Sequence, residues 1–206
     1  MTPGKMIVIE GIEGAGKSTS IDWVKTYLLE KGITYVSTRE PGGTRLGESL
    51  RELLKKDDSE VIEPETELLL MYASRMQLFH RVIKEALAKG SWVVSDRFEL
   101  SSYAYQGVGR HLGTKALNNI SALCLKGFKP DLTLYMDVPY EVSQARLAQR
   151  GIEKDRIEQE GETFFNAIRD AYCKFALNDK TIVRIDASKS LEEVKKCVLL
   201  TMERLC

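Results

Sequence analysis

The plainest chemistry in this sequence lies in one stretch, Gly11-x-x-x-x-Gly16-Lys17-Ser18, followed by Thr19. That spacing is the phosphate-binding loop pattern. Its glycines let successive backbone N–H groups turn inward around an anion, Lys17 supplies a point charge, and Ser18 offers a hydroxyl to Mg²⁺. Ile12, Glu13, Gly14 and Ala15 fill the loop, so Lys17 is its one basic residue. A chance glycine-rich turn is the bland alternative, and the flanking residues argue against it. An apolar, β-branched run at 6–9 reads as a buried strand, and Ile21, Trp23, Val24, Tyr27, Leu28 and Leu29 follow at roughly helical spacing. A helix starting there adds the positive end of its dipole. The stretch implies a nucleoside triphosphate site.

Further candidates follow other strand-like runs. Arg39 and Glu40 stand in Thr38-Arg39-Glu40-Pro41-Gly42-Gly43-Thr44, where Pro41 stiffens a loop suited to a charged ligand. Asp96 ends a buried strand, where enzymes with this loop hold Mg²⁺ or its waters, and Arg97 beside it is placed to clamp a transferring phosphoryl group. Structural ion pairing is the competing reading for both. Ser101, Ser102, Tyr103, Tyr105 and Gln106 make a polar wall able to read a base or sugar. Arg75 falls one turn after Met71 and Tyr72; from spacing alone a solvated arginine is favoured. Arg146, Arg150, Lys154 and Arg156 sit close together among glutamates. They suit either a solvated charged helix or an arginine-bearing flap hinged at Gly151 and Gly161.

These residues need a scaffold, and the pattern supplies one. Strand-like runs at 6–9, 34–37, 92–95, 132–136 and 181–185 alternate with helical segments near 17–31, 45–55, 65–89, 114–126, 140–150, 160–176 and 190–204. Such alternation predicts an α/β fold, a five-stranded parallel sheet with helices on both faces. Ligands in these sheets bind beyond the carboxyl ends of the strands, where the candidate residues fall. Residues 56–60 read as an exposed loop.

At 206 residues the chain suits one domain. Thirty basic residues balance thirty acidic ones, so no global field advertises nucleic acid or an anionic membrane. Cys124, Cys173, Cys197 and Cys206 lack metal-ligand spacing, which fits reduced thiols in a cytoplasmic protein. His80 and His111 stand alone and read as solvated or helix-face residues. No run is long and apolar enough to span a membrane, and the first residues carry no export signal.

Taken together the motifs resemble those of the bacterial thymidylate kinases. The resemblance rests on 11–18, 38–44, Asp96-Arg97-Phe98, the 101–107 stretch and Asp155-Arg156-Ile157-Glu158, in that order, over nearly the whole chain. It implies a P-loop NTPase fold, one nucleoside monophosphate kinase domain over 1–206 with a short lid near 146–161. The implied reaction is Mg²⁺-dependent transfer of the γ-phosphoryl group of ATP to dTMP. Residue by residue, Gly11 to Thr19 would hold the ATP phosphates, with Ser18 and Asp96 at the metal. Glu13 would meet the nucleotide sugar near its 3′-hydroxyl. Arg39 and Arg97 would hold the dTMP phosphate and the moving phosphoryl, and Arg75 the thymine. Ser102, Tyr105 and Gln106 would line base and ribose, with Tyr105 disfavouring a 2′-hydroxyl. The arginine-poor loop and arginine-rich flap place the chain with members that supply a catalytic arginine from the lid, here Arg150 or Arg156, with Arg146 third. The resemblance further implies a homodimer, with the helix at 65–89 a candidate face.

One residue departs from the family. The position four before the base-reading arginine is usually Phe, and here it is Met71. Its thioether can pack on a base, or Tyr72 can take the role, though one helical step turns it about 100° away. Rival readings are a kinase for dUMP, dCMP or a nucleoside, an ATP-dependent binding protein, or a GTPase. The last needs Asn-Lys-x-Asp and Asp-x-x-Gly, and neither is present.

Overall fold

The computed structural model describes residues 3–56, 60–151 and 155–205, with the backbone alone at Arg150. Five parallel strands form one sheet: β1 (Met6–Glu10), β2 (Tyr35–Arg39), β3 (Trp92–Asp96), β4 (Leu132–Asp137) and β5 (Ile182–Asp186), in spatial order β2-β3-β1-β4-β5. This is the sheet expected from the sequence pattern. Ile9 pairs in register with Asp96 and with Leu134, so β1 is flanked on both sides and its carboxyl end opens into the crevice between neighbours.

Between the strands run α1 (Lys17–Glu30), α2 (Arg45–Lys55), α3 (Pro64–Leu78), α4 (Lys84–Ala88), α5 (Glu99–Ser102), α6 (Gly113–Cys124), α7 (Tyr140–Arg150), α8 (Glu162–Asn178) and α9 (Leu191–Leu205). Side-chain alternation along β1 shows how two cores arise. Ile7 and Ile9 join Val24, Leu28, Val94, Leu134, Ile168 and Val198 on one face. Met6 and Val8 join Leu68, Tyr72, Ile83, Val93 and Leu117 on the other. Each such buried aliphatic side chain contributes about 1.5–3 kcal/mol, so a strand buried on both faces reads as the unbroken apolar run seen in the sequence.

Two segments carry detail beyond the sequence pattern. The helix expected at 65–89 is α3 and α4 joined by a π-helical turn, Phe79–Ile83. Its apolar residues Leu68, Tyr72, Leu78, Phe79 and Ile83 are spent on the core of the same chain, leaving Leu69 as an exposed large one. The polar stretch after β3, read as a polar wall and assigned to no helix, is helical: α5 runs into a second π-helical turn, Tyr103–Gly109. Its entry is held by Glu10, whose Oε1 accepts from the backbone N–H of Phe98 at 2.9 Å and of Ser101 at 3.2 Å. A carboxylate from β1 thus does the work of an N-terminal cap, which local sequence cannot reveal.

His80 and His111 are exposed, and Cys124, Cys173 and Cys197 carry free thiols. Among the described residues no helix is long and apolar enough to cross a membrane. Residues 57–59 of the expected exposed loop, 152–154 of the expected lid, and Cys206 lie outside the described residues.

Candidate active site

The phosphate loop leaves β1 and enters α1 with left-handed glycines, Gly14 at φ 74° and Gly16 at φ 87°. At Gly14 an added Cβ would lie 2.6 Å from the backbone oxygen of Ser143, so α7 packs on the loop too closely for any side chain. Ser143 also donates its hydroxyl to the Glu13 carbonyl at 2.8 Å. Gly16 caps α1 without a side-chain acceptor, and the first turn holds no acidic residue. The first-turn N–H groups and the dipole are therefore free for an anion. Lys17 Nζ lies over the loop, donating to the carbonyls of Gly11 and Ile12 at 3.1 Å each. Burial lowers its pKa, and Arg97 adds to the effect. A phosphate would relieve both.

A cavity of about 570 Å³ runs from this loop across the carboxyl ends of the strands. Of the residues singled out in the sequence, Glu13, Gly14, Gly16, Lys17, Ser18 and Thr19 line one end. Asp96 and Arg97 line its middle, and Met71, Arg75, Ser102, Tyr105 and Gln106 the other end. Ile12 and Ala15 are buried under the loop with Gly11. Chain segments far apart in sequence thus share one space.

Arg97 sits at the centre, in the left-handed region at φ 68°, a strained conformation for a side-chain-bearing residue. Its Nη2 donates to Glu13 Oε1 at 2.5 Å and to the Tyr105 hydroxyl at 3.1 Å, and its Nη1 donates to Ser101 Oγ at 3.1 Å. Tyr105 in turn donates to Glu13 Oε2 at 2.8 Å. Burial works against an ionised Glu13, but the Arg97 and Lys17 charges and the Tyr105 hydroxyl outweigh it, holding its carboxyl below the usual range.

Arg75 is fully buried, 2% exposed, which overturns the solvated reading drawn from spacing. Its Nε and Nη2 reach Glu40 Oε2 at 2.8 and 2.7 Å, Nη1 donates to Ser102 Oγ at 2.9 Å, and Nη2 to the Phe98 carbonyl at 3.2 Å. Tyr72 lies beneath its guanidinium, 4.6 Å from ring centroid to Cζ. Of the two side chains open to pack on a base, Met71 lines the cavity, while Tyr72 is committed to Arg75 and donates its hydroxyl to Glu99. Burial pushes the Glu40 carboxyl up to about 7 against the opposing charge of Arg75.

Two expected arginines are turned elsewhere. Arg39 pairs with Glu48 Oε2 at 2.7 Å and is absent from the lining. Arg51, on α2 and donating to the Pro41 carbonyl at 2.9 Å, takes that wall instead, with Lys55. Sequence reasoning missed both, because Arg51 and Lys55 sit among glutamates on what reads as a solvated helix. Arg156 donates to Glu67 Oε2 at 2.5 Å and to the Leu54 carbonyl at 3.2 Å, and it too is off the lining. Its neighbours Asp155, Ile157 and Glu158 are on the lining, with Asp155 held by Lys55 at 2.5 Å. Arg146 lines the cavity at the loop end and donates to the Ala187 carbonyl at 2.9 Å. The Arg150 side chain lies outside the described residues.

For a metal, the fitting observation is Asp96 Oδ1, buried without a hydrogen-bond partner in the same cavity as Ser18. Among the described residues no cluster of three His, Cys, Asp or Glu side chains forms a cage. One carboxylate and one hydroxyl suit Mg²⁺, which takes its remaining ligands from phosphates and water.

A parallel sheet, a phosphate loop at its central strand and one cavity running from that loop past Arg97 define a P-loop nucleotide phosphotransferase. The sequence profile of the thymidylate kinases matches residues 9–198. The chain is 50% identical over 201 residues to a thymidylate kinase of Legionella pneumophila (strain Paris), covering 97% of this chain and 94% of that one. It is 51% identical over 200 residues to one from Idiomarina loihiensis, covering 97% of each. A thymidylate kinase of Pseudoalteromonas translucida is 50% identical over 192 residues, covering 93% of this chain and 92% of that one. The chain belongs to the thymidylate kinase family.

Proposed function

We propose that this chain transfers the γ-phosphoryl group of ATP to dTMP, giving dTDP and ADP. The observation that carries this reading is the single cavity in which Arg97 stands between the phosphate loop and a base-sized pocket floored by Arg75. ATP enters with its phosphates on the loop amides and Lys17. The acceptor phosphate meets Arg97, with Arg51 and Lys55 as further positive charge on that wall. Its base reaches Met71, Arg75 and Gln106, and its sugar Tyr105 and Glu13. Phosphoryl transfer asks little covalent chemistry of a protein, so positioning and charge neutralisation dominate.

Ser18 and Asp96 would hold Mg²⁺, which when bound neutralises charge on the triphosphate. The lid turn at 155–158 excludes water from the transfer, which limits hydrolysis of ATP without acceptor. Arg150 or Arg156 supplies the lid's charge. The whole chain acts as one kinase domain in the cytoplasm, as a homodimer in keeping with the family resemblance.

The test is ADP release with ATP and Mg²⁺ against dTMP, dUMP, dCMP and thymidine. Strong preference for dTMP, abolished by EDTA, is the expected result. Comparable rates with dCMP move the reading to another pyrimidine nucleotide kinase, and turnover independent of acceptor sinks it. Sedimentation at micromolar concentration tests the dimer.

A further inference from the structure

Glu67 stands on α3 with 1% of its surface exposed, in none of the roles given above to phosphate, sugar or base. Three polar side chains converge on it. Gln106 Nε2 donates to Oε1 at 2.7 Å, Arg110 Nε lies 3.5 Å from the same oxygen, and Arg156 Nη2 donates to Oε2 at 2.5 Å. Burial works against its ionised form, but the Gln106 and Arg156 hydrogen bonds and the Arg110 charge outweigh it, leaving the carboxyl below the usual range. Glu67 is therefore a carboxylate, which accepts and has no proton to give.

That decides which end of the Gln106 amide faces it. Turned the other way, Gln106 would set its carbonyl oxygen against a carboxylate oxygen. Gln106 lines the cavity, and with Nε2 drawn to Glu67 its carbonyl Oε1, on the other side of the amide, is the acceptor it offers a ligand. Arg75, two turns along the same helix, has only donors to offer. The base end of the cavity thus presents an acceptor and a donor. An imide N3–H next to a carbonyl, as in thymine or uracil, complements that pair. Cytosine reverses both, with an accepting N3 and an exocyclic amine donor at position 4.

We propose that Glu67 is a positioning residue that sets base choice at the acceptor pocket, holding the Gln106 amide with its carbonyl toward the base so that imide bases are taken and cytosine is refused. The proposal deepens the thymidylate reading and rests on it. Because the other Glu67 oxygen holds Arg156, the amide and the lid turn share one anchor.

The test compares kcat/KM for dTMP and dCMP in the wild type and in Glu67→Gln. The new amide is nearly isosteric and can either accept or donate, so both orientations of Gln106 become satisfiable. The dTMP-over-dCMP ratio is expected to fall by ~10-fold or more. Glu67→Asp, which keeps the acceptor, is expected to keep most of the ratio. A carboxylate that merely stabilises the fold would lower the melting temperature, or both activities alike, and leave the ratio unchanged. That result overturns the proposal. Should Glu67→Gln fail to fold, Gln106→Met probes the other side of the same bond: the ratio is expected to collapse, and a retained ratio refutes the mechanism. A wild type with no dTMP turnover overturns the thymidylate reading and this one with it, whereas an active wild type with an unaltered ratio in the variants overturns this one alone.

Discussion

Arg97 Nη2 and Glu13 Oε1 lie 2.5 Å apart, tying the end of β3 to the phosphate loop. In this arrangement Glu13 neutralises the arginine proposed to meet the moving phosphoryl group. An incoming phosphate therefore meets a guanidinium already oriented by Glu13, Ser101 and Tyr105, so little reorganisation is needed when charge develops. Arg97→Lys keeps the charge and loses the fork. Its kcat with dTMP is expected to fall ~10²–10³-fold, measured by coupled ADP release at saturating substrates. A kcat within a few-fold of wild type would remove Arg97 from the transfer step.

Met71 lines the proposed base end of the cavity at the position where the resemblance leads one to expect Phe, and Tyr72 is not free to replace it. A thioether contact with a ring and an aromatic pair differ by less than about 1 kcal/mol. Met71→Phe is expected to lower KM for dTMP by about 3-fold with kcat unchanged. Steady-state kinetics over a dTMP series checks it, and a raised KM would show that the pocket is shaped around the thioether.

The two lid arginines call for paired variants. Arg156 is docked on Glu67 and Leu54, so a phosphate must draw it away from a buried carboxylate before it can act. Of Arg150→Ala and Arg156→Ala, the one that removes the catalytic arginine is expected to lower kcat by ~10²-fold, the scale of one lost charge-stabilising donor. Near-normal kcat in both would mean the lid supplies no catalytic charge.

Asp137, 3% exposed at the end of β4, gathers Arg169 at 2.6 Å, Arg184 at 2.6 Å and the Tyr135 hydroxyl at 3.0 Å. Burial works against its ionisation, yet the hydrogen bonds from Arg169 and Arg184 hold its carboxyl below the ordinary 3.8. A depressed carboxylate stabilises the fold fully above that ordinary value, and the contribution is lost as pH falls below it through the folded-state value. Asp137→Asn is expected to cost about 1–2 kcal/mol at pH 7, with the gap from wild type narrowing below about pH 3.8. Urea unfolding at pH 7, 5 and 3 measures both. A gap that does not vary with pH would show that packing, rather than charge, accounts for the loss.

What the sequence by itself determined is whatever depends on neighbouring residues. The phosphate loop is legible because Gly14 and Gly16 allow positive φ within a few positions of Lys17 and Ser18. The strands are legible because burial on both faces leaves an unbroken apolar run, as at 6–9. Asp96 and Arg97 are legible as candidates because the end of a parallel strand is where ligands sit. The tertiary structure decided whatever depends on partners distant in sequence. Glu10 caps the segment entering α5 from 88 residues away, so a polar stretch becomes helix. Arg75 is buried because Glu40, 35 residues earlier, offers it a carboxylate. Glu48 and Glu67 draw Arg39 and Arg156 off the cavity, while Arg51 and Lys55 come onto it. The reason is electrostatic: a buried or half-buried charge goes to the partner the fold brings within about 3 Å, and spacing along one chain does not record which partner that is.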